Sequence, residues 1–159
     1  MKDGFVRVGS VSPRVKVADV DFNVEQIVKH CAEADEQKCS LLVFPELSIT
    51  GYTCGDLFLQ DELLESALRG LYDIAEATCE MNLAIVVGLP LKFEGKLYNT
   101  AAVIAKGEVL GYVPKRFIPN YSEFYERRYF EPFEGDELPA DYTCPLCKHG
   151  REDFEPAER

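Results

Sequence analysis

The chain has 159 residues, 47% of them hydrophobic and 28% charged, and 17 basic against 28 acidic side chains leave a net charge of −11. No apolar run approaches the ~18 residues a membrane span needs, no basic-then-apolar leader opens the chain, and no basic surplus offers a face to nucleic acid. The composition therefore points to one cytoplasmic domain large enough to bury its own core.

Phe5-Val6-Arg7-Val8-Gly9-Ser10-Val11 alternates with period two and predicts a strand that Pro13 closes. Val24, Ile27, Val28, Cys31 and Ala34 share one face of a helix running to about Lys38. Leu41-Leu42-Val43-Phe44 is a continuous apolar run, the pattern of a strand covered on both faces, and Pro45 ends it with Glu46 just beyond. Gly51 to Gly55 reads as a turn. Leu63, Leu64, Ala67, Leu68, Leu71, Ile74, Ala75 and Cys79 then mark a second helix, and Leu83 to Leu89 a buried strand. Thr100–Ala105 and Val109–Val113 pair across Lys106-Gly107 as a hairpin. The order β-α-β-α-β-β-β predicts an α/β layered fold with helices over one face of the sheet.

Composition changes near Phe130–Pro132. Residues 1–130 hold 14 basic and 19 acidic groups, whereas the last 29 residues hold 3 and 9, together with four of the nine prolines. The chain divides on this reading into a layered domain over residues 1–131 and an acidic, loop-rich tail over 132–159. Cys31, Cys39, Cys54 and Cys79 show no disulfide spacing and read as free thiols, while Cys144 and Cys147 form a Cys-Pro-Leu-Cys knuckle.

Two positions suit chemistry. Glu46 follows a buried strand and Lys115 ends another, so one sheet delivers a carboxylate and an ammonium to the same end. Such a pair fits amide hydrolysis, the carboxylate taking a proton from a nucleophile and the ammonium steadying the oxyanion. Spacing alone favours an ordinary strand-end glutamate and a solvated lysine.

The wording around the pair is more specific. Phe44-Pro45-Glu46-Leu47-Ser48-Ile49-Thr50-Gly51-Tyr52, Leu97-Tyr98-Asn99-Thr100-Ala101, Gly111-Tyr112-Val113-Pro114-Lys115 and Pro119-Asn120-Tyr121-Ser122-Glu123-Phe124-Tyr125-Glu126-Arg127-Arg128 occur in that order. Together they resemble the nitrilase, or carbon–nitrogen hydrolase, superfamily. Gly51-Tyr52-Thr53-Cys54-Gly55-Asp56-Leu57-Phe58 and Glu123-Phe124-Tyr125-Glu126-Arg127-Arg128 are similar to the N-terminal glutaminase domains of bacterial glutamine-dependent NAD+ synthetases. The resemblance covers residues 5 to about 130 and implies part of an α-β-β-α sandwich.

By that resemblance Glu46 is the general base, Lys115 the oxyanion cation, and Glu126 the second glutamate that positions the lysine and the substrate. Tyr52, Tyr121 and Phe124 line the pocket for L-glutamine, although core packing serves these aromatics as well. The hydrolase part needs no cofactor; ATP and Mg belong to a synthetase domain, the implied partner, and the parent enzyme is expected to be a homo-oligomer. The family takes its nucleophilic cysteine from a later strand, so these 159 residues are expected to lack hydrolysis. The tail from Gly135 to Cys147, with Asp153-Phe154-Glu155-Pro156, resembles the C-terminal half of a rubredoxin, in which Cys144 and Cys147 would be half of an iron or zinc site. A metal-binding protein and a non-catalytic partner of an active homologue are the competing readings.

Overall fold

The computed structural model describes residues 4–135. Five strands and two helices follow one another as β1 (Val8–Ser10), α1 (Val20–Glu36), β2 (Leu41–Val43), α2 (Asp61–Ala77), β3 (Ala84–Phe93), β4 (Lys96–Ala105) and β5 (Glu108–Pro114). Short 3-10 turns at Gly55–Leu59 and Glu126–Arg128 complete the set. The strands form one sheet in the order β1-β2-β3-β4-β5, parallel from β1 to β3 and antiparallel from β3 to β5. The expected element order and layered α/β class are both present.

Where boundaries moved, local chemistry gives the reason. Helix α1 begins at Val20, earlier than its apolar stripe suggests, because Asp19 caps it by accepting from the Phe22 N–H at 3.2 Å. Strand β1 is shorter than its alternation, since its partner β2 offers only three residues for pairing. Strand β3 runs through Pro90 to Phe93, past the expected end at Leu89. Its neighbour β2 stops opposite Val86, so that edge is open farther along and the missing proline N–H breaks no ladder bond. A second hairpin joins β3 to β4 through Glu94-Gly95, with φ of 49° and 77°; Lys106-Gly107 repeats the device with 54° and 80°. Paired positive φ values are those of the turn whose twist suits a two-residue hairpin.

One face of the sheet is packed. Leu42 from β2, Ile85, Val87 and Leu89 from β3, and Ala102 and Ile104 from β4 meet Ile27 and Cys31 of α1 and Ala67, Leu71 and Ile74 of α2. The other face carries Val8, Val43 and Val113, all exposed. The expectation that Leu41–Phe44 is covered on both faces is therefore corrected: Leu42 is enclosed, but among the described residues Val43 meets no second layer. Neither helix is long and apolar enough to cross a membrane.

Candidate active site

Glu46 is placed by a chain crossing. Directly after β2 the segment Pro45-Glu46-Leu47 passes over Gly88 of β3 so closely that a Cβ there would lie 2.2 Å from the Leu47 nitrogen. Gly88 uses both backbone groups to hold this segment: its N–H donates to Ser48 Oγ at 3.2 Å, and its carbonyl accepts from the Ile49 N–H at 3.1 Å. Leu47 sits at φ 51°, a region few leucines adopt, and is fully buried. From the helix side the buried Asn23 donates to the carbonyls of Ile49 (3.0 Å) and Lys16 (2.8 Å), which ties the crossing to α1.

Lys115 follows β5 and extends its ladder by one bond, donating its N–H to the Asn99 carbonyl at 2.8 Å. Its own carbonyl accepts from the Phe133 N–H at 3.1 Å. Glu126 opens the second 3-10 turn, its N–H on the Pro119 carbonyl at 3.3 Å and its side chain buried.

These three side chains meet. The Lys115 ammonium donates to Glu46 Oε1 at 2.7 Å and to Glu126 Oε1 and Oε2 at 3.1 and 3.0 Å. Tyr52 donates its hydroxyl to Glu126 Oε1. Two carboxylates around one ammonium leave the cluster one negative charge in excess. Burial works against the ammonium, but the hydrogen bonds and charges of Glu46 and Glu126 outweigh it and hold the Lys115 pKa above its ordinary value. Burial first, then the bond to Glu126 and the nearby carboxylate charges, push the Tyr52 phenol well above its usual range.

Beside the cluster a cleft of about 170 Å³ is walled by Leu47, Tyr52, Phe58, Phe124, Glu126 and Tyr129, among others. Phe124 is one of the residues lining this cleft. Tyr121 does not line this cleft: it is 68% exposed and packs edge-on against Phe124, with ring centroids 5.7 Å apart. Cys54 lies eight residues past Glu46 but is buried, and its thiol donates to the carbonyls of Thr50 and Gly51 at 3.2 and 3.3 Å. Burial raises its pKa. Among the described residues, no thiol is hydrogen-bonded to Glu46 or Lys115. Cys144, Cys147 and nearly all of the rubredoxin-like stretch lie outside the described residues.

The sequence reading did not single out Asn99. It stands in β4 opposite Pro90, is only 4% exposed, and donates its amide to Glu46 Oε1 and, at 3.4 Å, to Glu126 Oε2. The available signal was an amide directly ahead of the small and β-branched run Thr100–Ala105. A fork at the rim was also missed: Arg128 donates through Nε and Nη2 to the two oxygens of Asp56 at 3.0 and 3.3 Å, and Tyr129 adds its hydroxyl at 3.2 Å.

Comparison with known proteins gives one consistent result. The carbon–nitrogen hydrolase family profile matches residues 7–153. A glutamine-dependent NAD(+) synthetase of Mycobacterium tuberculosis is 38% identical over 133 residues, which are 84% of this chain and 20% of that protein. The crystal structure of a glutamine-dependent NAD(+) synthetase from Cytophaga hutchinsonii superposes with a TM-score of 0.77 at 33% identity, over 80% of this chain and 22% of that one. A mutant amidase from Nesterenkonia sp. AN1, whose structure shows the result of Michael addition of acrylamide at the active site cysteine, superposes with a TM-score of 0.69 at 26% identity, over 82% of this chain and 51% of that one. The chain thus spans about a fifth of the curated relatives it matches.

Proposed function

The chain belongs to the carbon–nitrogen hydrolase family, and from that premise we propose that it carries the base and oxyanion half of a glutamine amidohydrolase site. The observation behind this reading is the contact of Lys115 with both Glu46 and Glu126 at 2.7–3.1 Å beside a walled cleft. In the chemistry this supports, Glu46 takes the proton of a cysteine thiol, and the thiolate attacks the glutamine carboxamide carbon. The carbonyl oxygen becomes an oxyanion next to the Lys115 ammonium. Collapse expels ammonia, to which Glu46 returns the proton, and leaves a thioester. Glu46 then takes a proton from water, whose oxygen displaces the thiolate and releases glutamate. Tyr52 and Phe124 form the cleft wall against which the substrate lies, and Tyr121 backs Phe124 from outside.

The ammonia would feed a synthetase part of the kind named in the relatives, which would amidate deaminated NAD with ATP and Mg. The thiol must come from a segment other than residues 4–135. Residues 4–135 by themselves are therefore proposed to be inactive.

The test is ammonia release from L-glutamine by the native protein, captured from its source with an antibody to residues 5–130 and weighed intact. We expect ammonia release by the native protein, and its loss in Glu46→Gln and Lys115→Met. Steady hydrolysis by the 159-residue chain that survives Glu46→Gln would overturn the reading.

A further inference from the structure

We propose that Asn99 is a positioning residue that, with Lys115, pins one oxygen of Glu46 and so selects the other, Oε2, as the atom that accepts the proton. The inference rests on the reading of Glu46 as a general base and adds to it the identity of the reacting oxygen. Glu46 Oε1 accepts twice, from Lys115 Nζ and from Asn99 Nδ2. Among the described residues, Oε2 accepts no hydrogen bond, and the Glu46 side chain is 40% exposed. An oxygen already taking two donors has its lone pairs committed, whereas its twin is open to an incoming thiol or water.

Asn99 is suited to this task because it is neutral, rigidly held and short of alternatives. Its backbone lies opposite Pro90 in β3, and its carbonyl accepts from the Lys115 N–H. Its amide is buried, so leaving either carboxylate without that donor would cost a desolvated hydrogen bond. The groups facing Glu46 are Lys115 from the end of β5, Glu126 from the 3-10 turn, Tyr52 from the loop after β2, and Asn99 from β4. Lys115 divides its donors between two carboxylates. It holds Glu46 by a single bond, about which the carboxyl could turn. The second donor, fixed on a strand, stops that rotation. The contact of Asn99 with Glu126 Oε2, longer at 3.4 Å, also gives this carboxylate a substitute donor when Lys115 turns toward an oxyanion.

The experiment is a pH titration of the ¹³C-labelled 159-residue chain by NMR, following the Glu46 carboxyl carbon, identified by its absence in Glu46→Gln, and the Asn99 side-chain amide signals. In the unaltered protein the two Asn99 amide protons should shift in step with the Glu46 carboxyl. In Asn99→Leu the Glu46 midpoint should rise by about one pH unit, because a donor to the ionised form has gone. Asn99→Asp, closer in shape, should raise it further, by replacing a donor with a charge. Amide signals indifferent to Glu46, or a Glu46 midpoint unmoved in a folded variant, would overturn the proposal. Hydrolysis is not measured, so a failed amidase assay and a failed titration are separate results.

Discussion

Two regions of this molecule are built on opposite terms. Between the helices and the sheet, Ile74, Ile85, Val87, Leu89 and Ile104 are completely enclosed, and the region is held by apolar area. Where β2 and β5 end and β4 begins, Glu126 is the buried charged side chain among the described residues, and the site is held by a handful of directional bonds. The first region can lose a methyl group and repack in part. The second offers no such slack, since each donor there serves a particular oxygen. The two are joined at one point, the crossing of Pro45-Glu46-Leu47 over Gly88, where a core strand sets the height of the base.

The comparison is broken most directly in the core. Leu71→Ala should lower the unfolding free energy by about 3 kcal/mol, read from urea denaturation, while the Glu46 carboxyl signal of the surviving native population stays in place. A shift of that signal equal to the one seen on changing Asn99 would show that the regions are not separable. Gly88→Ala should cost slightly less, about 2 kcal/mol, because the Leu47 backbone must retreat from a Cβ 2.2 Å away. Unlike the core change it should also displace Glu46 and loosen its bond to Lys115. Normal stability with an unmoved Glu46 signal would refute the account of the crossing.

A pH experiment sharpens the same contrast. The folded state holds the Lys115 pKa above its unfolded value of about 10.4, despite the burial that opposes it. Its contribution is fully present below that unfolded value and is lost as pH climbs through the folded one. The raised Tyr52 phenol acts in the same direction, since its proton is bound more tightly in the folded chain. Stability measured from pH 9 upward should therefore fall, and the fall should be shallower in Glu126→Gln, which removes a partner of both groups. An identical slope in that variant would count against the cluster as the source.

Much of the fold was legible because apolar periodicity reports burial: the stripes of α1 and α2 and the run from Leu83 to Leu89 needed no tertiary knowledge. The moved boundaries depended on neighbours. Asp19 extends α1 through a cap, and Pro90 is tolerated because β2 stops short. In the site, Glu46, Lys115 and Glu126 were readable only through the wording of their segments, since residues 46 and 126 meet across the fold by contacts that no local pattern encodes. Asn99 was hidden for the converse reason. Its segment was recognised, but the side chain that matters there sits in a strand whose neighbours suggest packing alone. The Arg128–Asp56 fork escaped because charges 72 residues apart at the surface resemble any other solvated pair.

That fork is the place to look for the smallest effect. Both side chains are largely exposed, and the bond from Arg128, helped by its charge, holds the Asp56 carboxyl below its ordinary range. Exposed pairs contribute little to global stability, so Asp56→Asn should give an unfolding curve that overlays that of the unaltered chain. Its role is local. Asp56 belongs to the 3-10 turn that follows Tyr52, and Arg128 to the turn that begins with Glu126, so the fork clips together the two loops that bring Tyr52 onto Glu126. Amide hydrogen exchange should therefore quicken over residues 55–59 and 126–129 in the variant, with strands β3 and β4 unchanged. High salt should reproduce part of the effect in the unaltered chain by screening the pair. Exchange that is unaltered in these loops would mean that Tyr52 and Glu126 are held by their own hydrogen bond and the packing of Phe58, Tyr129 and Phe130, with the fork a bystander.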